Sequence, residues 1–320
     1  ACYEVRNLVN EPGNVLDAVA FAEQIRLYTE KAGVKVEVFN KKKIMELGME
    51  ALLTVNKGSK TEPSFTVMEW KPENAVNKKP VVLVGKGLVF DTGGINIKPT
   101  KGLEEMKCDM AGGAAVFGAV YAAAMNKLPV HIVGLVPATD NRPGEHAMLP
   151  GDIIRLSNGK TVEILNTDAE GRLILADALL YAQKYNPELV IDLATLTGSA
   201  QVAIGKYGMA GMHQDAAEAM EKLKQSGWNV YERIAELPFW EEYGEEMESD
   251  IADLRNIGKG GGGGAITAGK FLARFISYPW IHLDIAGVAF MDGRESYRGK
   301  GATGVGVRLV YDFLKNMVNG

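Results

Sequence analysis

Four short, mostly apolar segments restrict the possible folds of this chain more than any other feature of its sequence. They cover residues 81–84, 130–136, 189–193 and 280–285. Segments without polar alternation are typical of parallel strands that are buried on both faces. Because helical patterns separate these segments, the sequence predicts the α/β class, with a mostly parallel mixed sheet sandwiched between helices.

Apolar spacing and turn residues predict the remaining elements. Strands are expected over 34–39 and 64–70, and helices over 14–31, 41–47, 173–184 and 305–318, with one more helix from Asp109 onward. The pair Asn158-Gly159 predicts a hairpin between 152–156 and 161–165. No linker divides the chain, so we expect a single domain over residues 1–320 that binds ligands beyond the carboxyl ends of its strands.

Composition excludes several classes of protein. With 47% hydrophobic residues the chain can bury a core, which excludes a disordered protein. The 35 Lys and Arg against 40 Asp and Glu give a net charge of −5, so nucleic-acid binding is not expected. Cys2 and Cys108 are too few for a disulfide framework, which favours a reducing, cytoplasmic compartment.

Neither a targeting signal nor a membrane span is predicted. The first residues lack the basic start and the apolar run of a signal peptide. The uncharged stretch 110–126 is rich in Gly and Ala and follows Asp109, so we expect a tightly packed core helix there. Since the chain starts without Met, we expect it to be part of a longer protein.

Charged residues follow the first of the buried strands. Lys86 and Asp91 come just after residues 81–84, among four glycines at 85, 87, 93 and 94 that allow close backbone approach. Each charge alone is more often part of a solvated loop. Their place at the end of a buried strand favours a binding crevice instead.

A second group of charges lies in the segment 166–173. If this segment is extended, Asp168, Glu170 and Arg172 project to one side, because alternate residues share a face. Two neighbouring carboxylates repel each other, and divalent metal ions are the usual compensation. The alternative is that acidic residues cap the helix that follows, which explains one acid better than two.

Together the two groups offer an oxygen-rich donor set. It comprises four carboxylates and three bases, namely Asp91, Asp109, Asp168, Glu170, Lys86, Lys98 and Arg172. Four carboxylates balance the charge of two divalent ions, and such sites suit a pair of metals that act together in catalysis.

These residues lie in motifs that resemble those of a known family. The stretches VGKGLVFDTGGINIKP, MKCDMAGG, NTDAEGRL, DLATLTG and HLDIAG occur here in order. They closely resemble the leucyl aminopeptidases, also called cytosol aminopeptidases, from about Asn7 to the C-terminus. The resemblance implies a phosphorylase/hydrolase-like aminopeptidase domain that hydrolyses the N-terminal peptide bond of peptides through a dinuclear metal centre and a bridging hydroxide.

The resemblance also implies a role for individual residues. The implied metal ligands are Lys86, Asp91, Asp109, Asp168 and Glu170, which would hold two ions of Zn, Mn, Co or Mg. The implied catalytic residues are Lys98, which stabilises the oxyanion, and Arg172, which holds a bicarbonate-like anion as general base. The implied side-chain pocket is formed by Met106, Thr195, Leu196, Gly198, Ala286 and Ala289. The resemblance further implies peptides with a free N-terminus as substrates, assembly into a homohexamer and no association with a membrane.

The sequence departs from the family at some positions, and rival functions remain to be weighed. The family's N-terminal domain is absent from residues 1–320, Asp140-Asn141-Arg142-Pro143 replaces a common Glu-Asn-Met-Pro, and Ala289 is smaller than usual. The segment 264–270 matches a phosphate loop, but Phe271 stands where Ser or Thr should bind Mg²⁺. The four histidines form no H-E-x-x-H zinc motif. A DNA-binding regulatory or structural hexamer is the alternative from another class.

Overall fold

One large mixed β-sheet organises the structure, a computed structural model that describes residues 1–294 and 297–319. The strands are β1 (Lys35–Phe39), β2 (Ser64–Trp70), β3 (Val81–Gly85), β4 (Gly87–Asp91), β5 (Ile132–Asn141), β6 (Ile153–Arg155), β7 (Thr161–Glu163), β8 (Leu189–Ala194), β9 (Met209–Gln214), β10 (Ile234–Glu236), β11 (Leu254–Arg255), β12 (Trp280–Asp284), β13 (Phe290–Met291) and β14 (Gly301–Ala302). The α-helices are α1 (Cys2–Asn10), α2 (Ala18–Lys31), α3 (Lys41–Glu46), α4 (Glu50–Asn56), α5 (Ala111–Met125), α6 (Gly171–Ala182), α7 (Gly198–Ile204), α8 (Ala217–Val230), α9 (Glu242–Glu245), α10 (Gly264–Ala273) and α11 (Val307–Asn319). Short 3-10 helices cover Leu103–Met110 and Gln183–Tyr185.

The sheet is parallel in its centre, and an antiparallel pair of strands flanks this centre on either side. In the described part of the chain, its nine strands follow the order β1-β2-β5-β3-β8-β12-β9-β10, with β4 pairing beside β5. Strands β5, β3, β8 and β12 run parallel to one another, whereas β2 and β9 run antiparallel to their neighbours β5 and β12. The predicted α/β class with a mostly parallel mixed sheet between helices is confirmed.

Two apolar cores cover the two faces of this sheet, and neighbouring residues of β3 contribute to them alternately. Val81 and Leu83 pack into the core that includes α1, α2, α5, α8 and α11. Val82 and Val84 pack into the core that includes α4, α6 and α10. Burial of both faces explains why the central strands are apolar at every position.

The predicted core helix packs closely against the carboxyl ends of the strands. A Cβ atom on Gly112 of α5 would lie 2.0 Å from the carbonyl oxygen of Leu193, so only glycine permits this approach. The stretch Leu103–Met125 is long and apolar enough to span a membrane, but 83% of its most apolar window is buried inside the fold. This burial agrees with the predicted core helix.

The structure also corrects some expectations. Helix α2 begins at Ala18 rather than residue 14, because the Asp17 carboxylate accepts a hydrogen bond from Ala20 N and caps the helix there. The segment 166–173 is not extended throughout, since α6 already begins at Gly171. Helix α8 and strand β9 were not expected, because few apolar residues mark α8 and Gly211 interrupts the pattern of β9.

Candidate functional site

A cavity of about 250 Å³ lies at the carboxyl edge of the parallel strands. Lys86 follows β3, Asp91 ends β4, Thr195 follows β8 and Ala286 lies just beyond β12. Because these strands are parallel, their carboxyl ends meet at one edge, where ligands bind in open α/β sheets.

All but two of the expected site residues line this cavity. The expected residues that line it are Lys86, Asp91, Lys98, Met106, Asp109, Asp168, Glu170, Thr195, Leu196, Gly198 and Ala286. The lining also includes Cys108, Thr197 and Gln201, to which no role was assigned from the sequence. Cys108 and Thr197 lie inside the quoted motifs, whereas Gln201 lies on α7 outside them and carried no signal.

The inner half of the cavity is built around Lys86. Its Nζ lies 2.8 and 2.7 Å from the two carboxylate oxygens of Asp109 and 3.1 Å from Glu170 Oε1, and it also donates to the carbonyl oxygen of Thr195. Burial lowers the pKa of Lys86, but the charges of Asp109, Glu170 and Asp91 more than offset this and raise it. The carboxylates therefore keep this buried ammonium charged.

The outer half of the cavity is built around Lys98. Its Nζ lies 2.7 Å from Asp91 Oδ2 and also contacts the carboxylate of Asp168. Burial again lowers the pKa of Lys98, and Asp91 and Glu170 reverse this and raise it. The Lys98 side chain is 22% exposed, against 3% for Lys86, so it reaches the solvent side of the cavity.

The turn after β4, together with Asn141, holds the Asp91 carboxylate in place. The Asp91 carboxylate accepts hydrogen bonds from Gly93 N and Asn141 Nδ2, and Asn141 Nδ2 also donates to the carbonyl oxygen of Thr167. Gly94 has a φ of +67°, and a Cβ atom there would lie 2.9 Å from Asn141 Oδ1 and Thr167 Oγ1. Only glycine fits this turn, which explains the glycines after Asp91.

The carboxylates meet the requirements of a cation site. Asp91, Asp168 and Glu170 each offer an oxygen, and these atoms lie within 4.8 Å of one another. Glu170 Oε2 is buried and has no hydrogen-bond partner among the described residues. Burial, together with the charges of Asp91 and Glu170, raises the pKa of Asp109 against the effect of Lys86. Hard oxygen donors with an unsatisfied lone pair fit a divalent cation.

The other two expected residues lie outside the cavity lining. Arg172 is buried in the first turn of α6, where its Nη1 donates to the carbonyl oxygen of Asn256 and its Nε has no partner among the described residues. Burial lowers the pKa of Arg172 to about 10, although Glu170 and Asp284 oppose this. Ala289 is 2% exposed, and its carbonyl oxygen accepts a hydrogen bond from Thr303 N.

Known proteins are similar to this chain in both sequence and fold. A family model described as cytosol aminopeptidase family, catalytic domain, matches residues 3–311. A protein of Chloroherpeton thalassium named probable cytosol aminopeptidase is 51% identical over 98% of this chain and 61% of its own length. A protein of Chlorobaculum parvum with the same name is 52% identical over 97% of this chain and 62% of its own length.

A solved structure is similar to this chain over nearly its whole length. The bottromycin maturation enzyme BotP in complex with Mn superposes with a TM-score of 0.94 at 34% identity, covering 99% of this chain and 70% of BotP. The chain thus spans about three fifths of the length of the curated relatives it matches. From the matched motifs, the sequence identity and the fold together, the chain belongs to the cytosol aminopeptidase family and contains its catalytic domain.

Proposed function

We propose that this chain is the single catalytic domain of a metal-dependent aminopeptidase, which hydrolyses the N-terminal peptide bond of peptides with a free N-terminus. The observation that carries the proposal is the cluster of carboxylates and lysines at one edge of the sheet, with Glu170 Oε2 buried and unpaired among the described residues. The BotP relative binds Mn, which supports a metal site here.

The donor set fits two divalent ions. Lys86, Asp91, Asp109, Asp168 and Glu170 would hold them, and Zn, Mn, Co and Mg all accept such donors. When bound, the ions polarise the scissile carbonyl and lower the pKa of a water molecule. Lys86 would bind through its neutral amine. With the charge of the four carboxylates offset by two divalent ions, burial would favour the uncharged form of Lys86.

The second lysine suits a different task. The Lys98 ammonium is partly exposed and lines the cavity, so it can approach a substrate carbonyl and stabilise the negative charge that develops on its oxygen. Arg172 has a buried Nε without a partner among the described residues, which a bicarbonate-like anion would satisfy. Such an anion is suited to accept a proton from the attacking water.

The remaining lining residues would recognise the N-terminal residue. Met106, Leu196 and Ala286 offer apolar surface, while Thr195 and Gly198 border the carboxylates. The volume of about 250 Å³ suits one side chain rather than a long peptide segment. A cytoplasmic location and a homohexamer complete the proposal. The DNA-binding alternative is not favoured, because the chain has a net charge of −5.

A comparison of two substrates tests the proposal. The chain is loaded with Mn²⁺ or Zn²⁺ and offered a leucyl peptide with a free α-amine or the same peptide carrying an N-acetyl group. We expect cleavage of the free peptide only, because the α-amine must bind beside the carboxylates. Equal cleavage of the two peptides by the metal-loaded chain would falsify the proposed exopeptidase activity.

A further inference from the structure

Asp284 connects two walls of the cavity without lining it. It ends β12 and is only 1% exposed. Its Oδ1 accepts hydrogen bonds from Leu196 N at 3.2 Å and from Ala286 N at 3.1 Å. Its Oδ2 accepts a hydrogen bond from Thr197 Oγ1 at 2.7 Å. One carboxylate thus joins the segment after β8 to the segment after β12.

All three donors belong to residues that form the cavity. Leu196 and Thr197 lie in the wall that follows β8, and Ala286 lies in the adjoining wall that follows the neighbouring strand β12. Thr197 Oγ1 also accepts a hydrogen bond from Ala200 N, which caps α7. A backbone hydrogen bond from Ile285 N to the carbonyl oxygen of Ala194 joins the two segments at the strand ends, and the Asp284 side chain continues this connection into the two walls.

Burial of the Asp284 carboxylate costs free energy because it removes the charge from water, and the hydrogen bonds described above offset this cost. Burial raises the pKa of the Asp284 carboxyl, and His282 and the three hydrogen-bond donors oppose that rise. A buried carboxylate is tolerated when several donors satisfy it. Removing this side chain would leave two backbone N–H groups and one hydroxyl without their acceptor.

We propose that Asp284 is a positioning residue that fixes the separation of the two walls of the side-chain cavity and thereby sets the preference for the N-terminal residue. The inference rests on the proposed function, because it concerns the residue that would occupy this cavity. A displacement of about 1 Å in a binding wall is enough to change turnover roughly 10²-fold.

Four variants separate the hydrogen bonds from the charge. Asp284→Ala removes all three acceptor contacts. Asp284→Asn removes the charge, but its Oδ1 can accept from both N–H groups while its Nδ2 donates to Thr197 Oγ1. Thr197→Val removes one contact and the cap of α7, whereas Thr197→Ser keeps the hydroxyl. Thr29→Val is the matched control, since Thr29 is also a buried threonine, but its hydroxyl donates to Ile25 O within α2.

The measured quantity is the ratio of kcat/KM for leucyl and alanyl p-nitroanilides with the metal-loaded chain. This ratio does not depend on the fraction of folded enzyme, so a loss of stability alone leaves it unchanged. We expect Asp284→Ala and Thr197→Val to reduce the ratio about tenfold, since one to three methylenes in a pocket give discrimination of this order. Asp284→Asn, Thr197→Ser and Thr29→Val should stay within about threefold of the wild-type ratio.

Hydrogen–deuterium exchange gives a second readout that needs no activity. Asp284→Ala should speed exchange in peptides covering 195–200 and 285–287, and Thr29→Val should not. An unchanged substrate ratio in Asp284→Ala overturns the proposal, and so does an Asp284→Asn variant that behaves like Asp284→Ala. If Asp284→Ala does not fold, the substrate ratios of Thr197→Val and Thr197→Ser test the proposal instead, and equal ratios in these two variants overturn it. If the wild-type chain cleaves neither anilide, the proposed function fails, and unchanged exchange in Asp284→Ala would then overturn the wall-positioning role as well.

Discussion

The inner and outer halves of the cavity contain the same chemistry in different surroundings. In the inner half, Lys86 lies between Asp109 and Glu170, and its side chain is 3% exposed. In the outer half, Lys98 lies between Asp91 and Asp168, and its side chain is 22% exposed. Each half thus pairs one ammonium with two carboxylates, and burial is the main difference between them.

This difference in burial supports the different tasks proposed for the two lysines. Lys86 directly follows the fully buried strand β3, and a Cβ atom on Gly171 would lie 2.4 Å from its side chain, so it has little room to move. Lys98 lies in a loop that borders the solvent. A fixed, buried amine suits a metal ligand, whereas a more accessible ammonium suits contact with an incoming substrate.

Removal of the metal should have the largest effect on this comparison. Dialysis against a chelator should reduce kcat/KM roughly 10³-fold, which corresponds to a loss of several kcal/mol of transition-state stabilisation. Addition of Mn²⁺ or Zn²⁺ should restore the activity. During reloading we expect two binding steps, because the outer half contains the 32% exposed Asp168 side chain and the inner half is closed. Isothermal titration calorimetry measures the number of steps. If the active chain binds only a single ion, the hypothesis that each half of the cavity holds its own metal ion is contradicted.

The next largest effect should come from the outer lysine. Lys98→Met keeps much of the aliphatic stem and removes the charge, so kcat should fall about 10²–10³-fold while KM changes much less. Metal content by mass spectrometry should stay at two ions per chain. Lys101→Met is the control, because Lys101 is an exposed lysine three residues further along the same loop. A comparable loss in both variants would show that general charge, rather than the position of Lys98, matters.

Substitution of the inner lysine should affect the chemical step less than substitution of Lys98 does, but it should affect metal content more. Lys86→Met removes a proposed ligand and leaves Asp109 and Glu170 facing a buried thioether. Affinity for one ion should fall, and activity should fall with it and recover partly at high metal concentration. Mass spectrometry and metal titration check this together. If Lys86→Met keeps both ions and Lys98→Met loses one, the tasks of the two halves are reversed.

The sequence predicted much of the site because the site lies at strand ends. Buried apolar strands showed where Lys86 and Asp91 would lie, and the rule for parallel sheets brought them together. The same rule could have identified Asp284, a carboxylate at the end of β12, although no role was assigned to it from the sequence. The position of Arg172 was not predictable in this way, because α6 begins one residue earlier and directs its guanidinium towards Asn256.

Another buried carboxyl, that of Asp177, shows what burial does without a cation. Asp177 lies on α6, the helix that also carries Arg172, and is 2% exposed. Its Oδ2 accepts a hydrogen bond from Leu52 N at 2.8 Å, and its Oδ1 has no partner among the described residues. Burial raises the pKa of Asp177 to about 8, against the opposing backbone hydrogen bonds of Leu52 and Ala51.

The smallest expected effect, on stability alone, follows from this pKa. Unfolded Asp ionises near pH 4, whereas folded Asp177 keeps its proton up to about pH 8. Between these values the folded chain binds more protons, so its stability falls as pH rises. Asp177→Asn is neutral throughout. Its free energy of unfolding relative to wild type should therefore rise by ~1–3 kcal/mol from pH 5 to pH 8 in urea titrations. Asp253→Asn should show no such gain, because hydrogen bonds from Thr161 lower the pKa of Asp253. A constant difference between wild type and Asp177→Asn across this range would mean that the folded carboxyl is already ionised at pH 5.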